Sequence, residues 1–255
     1  MAINWFGAFT LLKKEVWRFL KVYHQTLFSP VVNIMLFFAI FCLSMGSHVP
    51  MVGAVPFPVF VSAGLIMMAA MQNSFANSSS SMVMGKVMGH FIDYLMPPLG
   101  AFELLFAFTA GAILRGLAVG LVAFITISFF VKITVFSFGL MIFYALFSCA
   151  FLAMLGVLCG IVSDTFDNMS AITSYIVTPL TFLSGTFYST NSLPEFWRNV
   201  AHFNPFFYMI DGFRYSLTGQ SDGDLTVGVV YVLAINLVLG GVVYWLLRIS
   251  YKIRS

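Results

Sequence analysis

Charge is what this sequence has least of. Only 8% of its 255 residues are Asp, Glu, Lys or Arg, against roughly 25% in an ordinary soluble domain. So few charges cannot coat a surface facing water, and the solvent for most of this chain must be lipid. The net charge of +3 is small, and no nucleic-acid partner is expected. Cysteine is scarce too. Cys42, Cys149 and Cys159 lie in apolar runs without metal-ligand or disulfide-framework spacing, and they read as small buried hydrophobes. A P-loop is missing: the motif needs G-x-x-x-x-G-K-[ST] to cradle phosphate. The one Gly-Lys pair, Gly85-Lys86, is followed by Val87 and lacks the upstream glycine. The chain is therefore not expected to be an enzyme that hydrolyses ATP by that route.

Other absences narrow the function further. No Asp or Glu falls mid-span, which disfavours a cation-coupled carrier or channel. No internal repeat of the kind seen in duplicated carriers stands out. An intramembrane serine protease would want Gly-x-Ser-Gly and a histidine base, but "FLSG" at Phe182–Gly185 lacks the leading glycine. A removable secretory signal is not expected either, because "LLKKEVWRFLK" interrupts any apolar core near the start.

What is present is apolar: 60% of the residues, 30 of them Phe. Crossing a bilayer takes roughly 17–25 apolar residues. Six segments qualify: Pro30–Ser47, Phe57–Ser81, Leu104–Val131, Val135–Val162, Met169–Thr190 and Leu225–Leu247. The expected fold class is an all-α integral membrane protein with six transmembrane helices. An even number of crossings puts both termini on one side. Lys13, Lys14, Arg18 and Lys21 then share a side with Lys86, Arg248, Lys252 and Arg254. Opposite them, Lys132, Arg198 and Arg214 are partly offset by Glu195, Asp211, Asp222 and Asp224. The positive-inside rule makes the termini cytoplasmic.

Three segments lie outside the ordinary spans. Near the N-terminus, Trp5, Phe9, Leu12, Val16, Leu20, Tyr23 and Leu27 follow helical steps, while Lys14, Arg18 and Lys21 make another face. Such a helix lies in the headgroup plane with its basic face toward anionic lipid. It serves as an anchor or as a contact for a partner. Between spans two and three, "KVMGHFIDYLMPPLG" predicts a short amphipathic helix with Lys86, His90 and Asp93 on one side, stopped by Pro98. Before the last span, "NSLPEFWRNVAHFNPFFYMIDGFRYSLTG" is too polar to span and too aromatic for a plain loop. Pro205 splits it into helical pieces, Leu193–Phe203 and Phe206–Leu217, that dip into the outer leaflet. They either cap a pathway or brace the spans.

Arg115 is the exception within a span. It lies twelve residues of helix beyond Glu103, about 18 Å along the axis, and an unpartnered Arg there costs ~2.5–3.5 kcal/mol on insertion scales. It must face protein or water. Asn73 and Asn236 fall at a matching depth when counted from Lys86 and Arg248, and Thr178 lies near it in span five. A buried network linking Arg115 with Asn73 or Asn236 is expected; it either locks helix packing or lines a pathway. Gly116-xxx-Gly120, Gly156-xxx-Gly160 and Ser74-xxx-Ser78 match the small-xxx-small pattern of close helix approach.

The order of these parts resembles the permease subunits of type-2 ABC transporters over essentially the whole chain. "SAGLIMMAAMQNSFANSSSSM", "GHFIDYLMPPLGAFELL", "LRGLAVG" and the run from "DTFDNMSAITSYIVTPL" to "DGFRY" carry the likeness, with the short basic tail. The resemblance implies one transmembrane domain over 1–255, made of an interfacial helix (1–28), spans one to five (30–190), an outer re-entrant hairpin (191–224) and span six with its tail (225–255). It implies a homodimeric exporter in a bacterial inner membrane. Two ATPase subunits would hold ATP and Mg in the cytoplasm, with no cofactor in this chain. It further implies that a coupling helix over 86–99 receives the ATPase motion. Lys86, His90, Phe91, Asp93, Leu95 and Pro98 would act there, beside Lys14 and Arg18. An outer gate would involve Trp197, Phe203, Phe206, Phe207 and Tyr208. The substrate implied is hydrophobic or amphipathic.

Overall fold

The computed structural model describes residues 4–45, 51–89 and 99–249, and helices dominate it. The first, α1 (Trp5–Leu20), starts at Asn4, whose side chain accepts from the Gly7 N–H. The expected stripe is real but only partly covered: Trp5 and Phe9 lie against Phe102 and Phe106 yet stay largely exposed, as does Leu20, while Ala8, Leu11, Glu15 and Phe19 pack inward. A π-helical turn, His24–Phe28, leads into α2 (Ser29–Met45). A two-residue hairpin of β1 (Met51–Val52) and β2 (Val55–Pro56) turns at Gly53, whose φ of 62° suits a residue without Cβ.

The central helix is α3 (Phe57–Val87), buried on all sides along most of its length. Its 31 residues reach about 46 Å, well beyond the roughly 30 Å hydrocarbon thickness. It does not stop at Ser81. Lys86 is therefore in the last turn of α3 and does not begin a separate linker helix. Residues His90, Phe91, Asp93, Leu95 and Pro98 of the expected coupling helix lie outside the described residues.

Two helices flank α3 most extensively, α4 (Ala101–Ser128) and α5 (Phe138–Val162). Small residues let them come close. A Cβ on Gly116 would sit 1.9 Å from Ser74 Oγ, and one on Gly156 would sit 2.5 Å from the Phe75 carbonyl oxygen. On Gly160 it would meet Met82 at 2.3 Å. The small-xxx-small stretches of α3, α4 and α5 therefore face one another. That is packing in the sense of backbone approach.

The stretch expected as the fifth span is built differently. It comprises α6 (Phe166–Ile172), a π-helical turn Thr173–Val177, and α7 (Thr178–Leu183). After Leu183 the Ser184 and Thr186 hydroxyls both donate to the Thr181 carbonyl, and Gly185 turns the chain at φ 75°. Among the described residues, five helices are long and apolar enough to cross a membrane: His24–Ser44, Phe57–Val87, Ala101–Ser128, Phe138–Val162 and Leu225–Arg248. The 166–183 run is not among them, because Asp167, Asn168 and a series of Ser and Thr residues dilute its apolar character.

The two π-turns share a cause. Each ends two residues before a proline, Pro30 or Pro179. Proline offers no N–H to the carbonyl four residues back. The preceding residue instead reaches five back: Ser29 N–H to the His24 carbonyl, and Thr178 N–H to that of Thr173.

Beyond the 166–183 run lie α8 (Glu195–Phe203) and α9 (Pro205–Thr218), divided at Asn204, whose side chain accepts from the Phe206 N–H. Gly219, at φ 74°, ends α9. Asp224 then caps α10 (Leu225–Arg248) through the Thr226 and Val227 N–H groups. Phe151, Phe206, Met209 and Phe213 belong to the large core around α3. A smaller core, with Leu11, Met82, Phe108, Val157 and Leu247, seals the end nearer α1.

Candidate functional site: a polar cleft in an apolar bundle

Between α2, α3, α4 and the 166–183 run lies a cleft of about 720 Å³. Its walls are unusually polar for a helix bundle of this composition. Asn33 comes from α2, Gln72, Asn73, Ser79 and Ser80 from α3, and Arg115 from α4. Ser170, Thr173, Ser174 and Thr178 come from the run opposite. Both proline-linked π-turns lie beside it: Ser29 and Pro30, just after the first, and Thr173, Ser174 and Val177 of the second line its walls. Such turns widen the helix locally and are frequent at functional sites.

Arg115 reaches into this cleft and donates from Nη2 to Asn73 Oδ1 at 3.2 Å. Asn73 is oriented for that role, because its Nδ2 is committed to the Ala69 carbonyl at 3.0 Å. Asn236 lies on α10 and bonds within its own helix, Nδ2 to the Val232 carbonyl at 2.8 Å. No hydrogen bond joins it to Arg115 among the described residues. Thr178 lines the cleft with Arg115 without bonding to it. The matched-depth reasoning thus placed Asn73 and Thr178 around one cleft and put Asn236 on a helix outside its lining.

The Asn77–Ser81 end of α3 is fastened by α1. Arg18 does not face outward to lipid. It turns onto α3, donating from Nη2 to the Asn77 carbonyl at 2.7 Å and to Asn77 Oδ1 at 3.0 Å. It also pairs with Glu15 at 3.1 Å. Glu15 is completely buried and accepts from Ser81 Oγ at 2.8 Å. Lys14 stays on the exposed side of α1. Lys86 folds back on α5, donating to the carbonyls of Ile161 and Ser163 and lying 3.6 Å from Asp164. Lysine at a helix C-terminus satisfies orphan carbonyls and complements the helix dipole.

The aromatic residues of α8 and α9 divide into two groups. Phe206 and Phe207 are buried and root α9 in the bundle, whereas Trp197 and Phe203 on α8 are exposed. Tyr208 stacks near Tyr231 of α10, ring centroids 4.8 Å apart. Beneath them sits a charged knot. Arg214, 2% exposed, lies 3.5 Å from Asp211, donates to the Gly185 carbonyl and covers the Phe60 ring at 3.8 Å. Asp211 accepts from the backbone N–H groups of Asp222 and Gly223, each at 3.0 Å. Burial pushes its carboxyl above the usual carboxylate range, and Arg214 and those N–H groups pull it back. Asp222 in turn accepts from Ser189 Oγ, Thr190 N–H and Oγ1, and Asn191 Nδ2.

Glu15, Gln72, the Asp211–Arg214 pair and Asp222 were not singled out from sequence. A signal existed for two pairs: Glu15 and Arg18, like Asp211 and Arg214, stand three apart on a helix and so share a face.

The sequence matches known proteins. The family described as "ABC-2 type transporter" matches residues 7–218. The chain is 33% identical over 242 residues, 93% of its length and 94% of theirs, to proteins named "Inner membrane transport permease YadH" from Escherichia coli K12, E. coli O157:H7 and Shigella flexneri. With five long apolar helices among the described residues and a match over most of its length, the chain belongs to the ABC-2 type transporter family, as a transport permease of the bacterial inner membrane.

Proposed function

We propose that this chain is the membrane subunit of an ATP-driven exporter and works as a pair of identical copies. Two separate ATPase subunits bind the cytoplasmic side and hold ATP and Mg. The bundle crosses the membrane six times, the 166–183 run making the fifth crossing, with both termini in the cytoplasm. Cargo is amphipathic or hydrophobic.

The polar cleft carries this reading. Asn33, Ser170 and Ser174 are exposed along its open side, at a level where a lone copy would press them against acyl chains. Polar groups inside a bilayer face a partner or a water-filled cavity. A second copy packed on α2 and the 166–183 run closes the cleft into a shared passage. The outer hairpin, rooted by Phe206 and Phe207, caps its exit. Drive enters through residues 86–99: His90, Phe91, Asp93, Leu95 and Pro98 meet the ATPase. Lys86 and Arg18 carry the movement into α5 and α3, and Lys14 stands beside them.

Affinity purification of the intact complex from native membranes tests the reading. A P-loop ATPase should accompany the chain in equal amount, and Asp93→Lys should weaken that association without unfolding the spans. Sustained uphill movement of cargo by the chain alone in liposomes would refute it.

A further inference from the structure

We propose that Arg115 is an anion-recognition point within the cleft, and that what enters there is an amphiphile whose head carries a carboxylate or phosphate. This rests on the cleft being a passage and names the chemistry of what passes. The ground is a comparison among this chain's own inward-turned cations. Arg18 has Glu15 at 3.1 Å, Lys86 has Asp164 at 3.6 Å and Arg214 has Asp211 at 3.5 Å. Arg115 has no carboxylate within ion-pairing distance among the described residues.

A guanidinium cannot shed its proton to escape this position, and it carries five donors. Asn73 Oδ1 takes one, at 3.2 Å, and Nε is buried with no partner. Asn73 supplies a neutral acceptor only, so the positive charge stays uncompensated. The described lining of the cleft contains no acid. Gln72 and Thr178 offer neutral donors around the same space, and Ile34, Phe37, Met68 and Phe182 give it an apolar wall. A planar fork of donors with hydroxyls beside it suits a carboxylate or phosphate, and the wall suits an alkyl chain.

The test is binding by the full-length chain, with any ATPase that accompanies it, in phosphatidylcholine nanodiscs. The probes are dodecyl phosphate and uncharged dodecanol. Dodecyl phosphate should bind saturably, once per chain. Arg115→Gln should weaken it roughly tenfold or more, as loss of a charge-assisted contact does, and Arg115→Lys, which keeps the charge but loses the fork, should fall between wild type and Arg115→Gln. Dodecanol should bind weakly and equally to all three. Equal dodecyl phosphate affinity in wild type and folded Arg115→Gln overturns the proposal. If Arg115→Gln fails to fold, Ser174→Asp places a carboxylate in the cleft; binding should then be lost, and unchanged binding overturns the proposal.

Adding phosphatidylglycerol separates two sources of the same chemistry. Competition that requires Arg115 identifies a lipid headgroup as the occupant, and lack of competition identifies a free amphiphile; both support the anion site. Because binding is read without ATP, failure of the ATPase to copurify refutes the exporter reading and leaves this result standing.

Discussion

Lys86 Nζ donates to the carbonyl of Ile161, so the last turn of α3 is fastened to the last turn of α5. That bond changes what a substitution at Lys86 should do. Lys86→Ala should lower thermal stability in detergent by about 1–3 kcal/mol, the cost of leaving partly buried carbonyls without their charged donor. ATPase copurification should survive. Loss of the ATPase with an unshifted melting curve would instead make Lys86 a docking residue.

The approach of α5 to α3 leaves no room for a side chain at Gly156, where a Cβ would lie 2.2 Å from Ser78 Oγ and 2.5 Å from the Phe75 carbonyl oxygen. Gly156→Ala should cost about 1–3 kcal/mol, the usual range for overpacking. Gly139→Ala, with nothing within 4 Å of the added atom, is the control. Equal melting temperatures for the two variants would show that the helices are less closely packed than described.

Glu15 holds α1 on the bundle through Arg18 and Ser81. Replacement by Gln removes the charge partner of Arg18 and should cost roughly 1–3 kcal/mol. Arg18 is partly exposed, which limits the ion-pair share. The local signature is sharper: limited proteolysis should cut sooner around residues 20–28 in Glu15→Gln. An unchanged cleavage pattern would mean that α1 is held by its apolar contacts alone.

Pro179 sets the π-turn beside the cleft by withholding an N–H from the Tyr175 carbonyl. Pro179→Ala should restore regular helix there, slow amide exchange across 173–178, and lower transport while leaving the melting temperature equal or higher. Full transport with slowed exchange would show that the wide turn is dispensable.

At the outer face, Asp222 gathers donors from Ser189, Thr190 and Asn191. Asp222→Asn should loosen this knot, and faster hydrogen exchange should appear in 185–192 and 219–224 without change in α3. Exchange that rises throughout the molecule would point to general unfolding rather than a local latch.

Several features were legible in the chain before any coordinates. Apolar runs of membrane-crossing length, the break at Asn204-Pro205, the amphipathic first helix and the glycine pairs are local properties. They follow from hydropathy, backbone geometry and residue size within a window of a few turns. The neighbours of Arg115 were partly legible, because depth along a helix is simple arithmetic on rise per residue.

Direction around a helix was not legible. Depth placed Asn73 and Asn236 at one level, yet only Asn73 bonds Arg115, since which face meets which neighbour depends on how all the helices pack together. The same holds for Arg18, whose basic face reads as lipid-facing until Asn77 and Ser80 of α3 meet it and Glu15 of its own helix pairs with it. Lys86 reads as the first charge of a linker helix until the end of α5 meets it in the last turn of α3. Sequence by itself settled that this chain dissolves in lipid and roughly where its long apolar segments lie, because hydropathy along one segment decides that. It did not show that α3 runs on to Val87 or that the 166–183 run is broken by a π-turn. Only the tertiary structure decided which charges are paired and that Arg115 is left facing an open cleft, because pairing is settled by contacts between residues tens of positions apart.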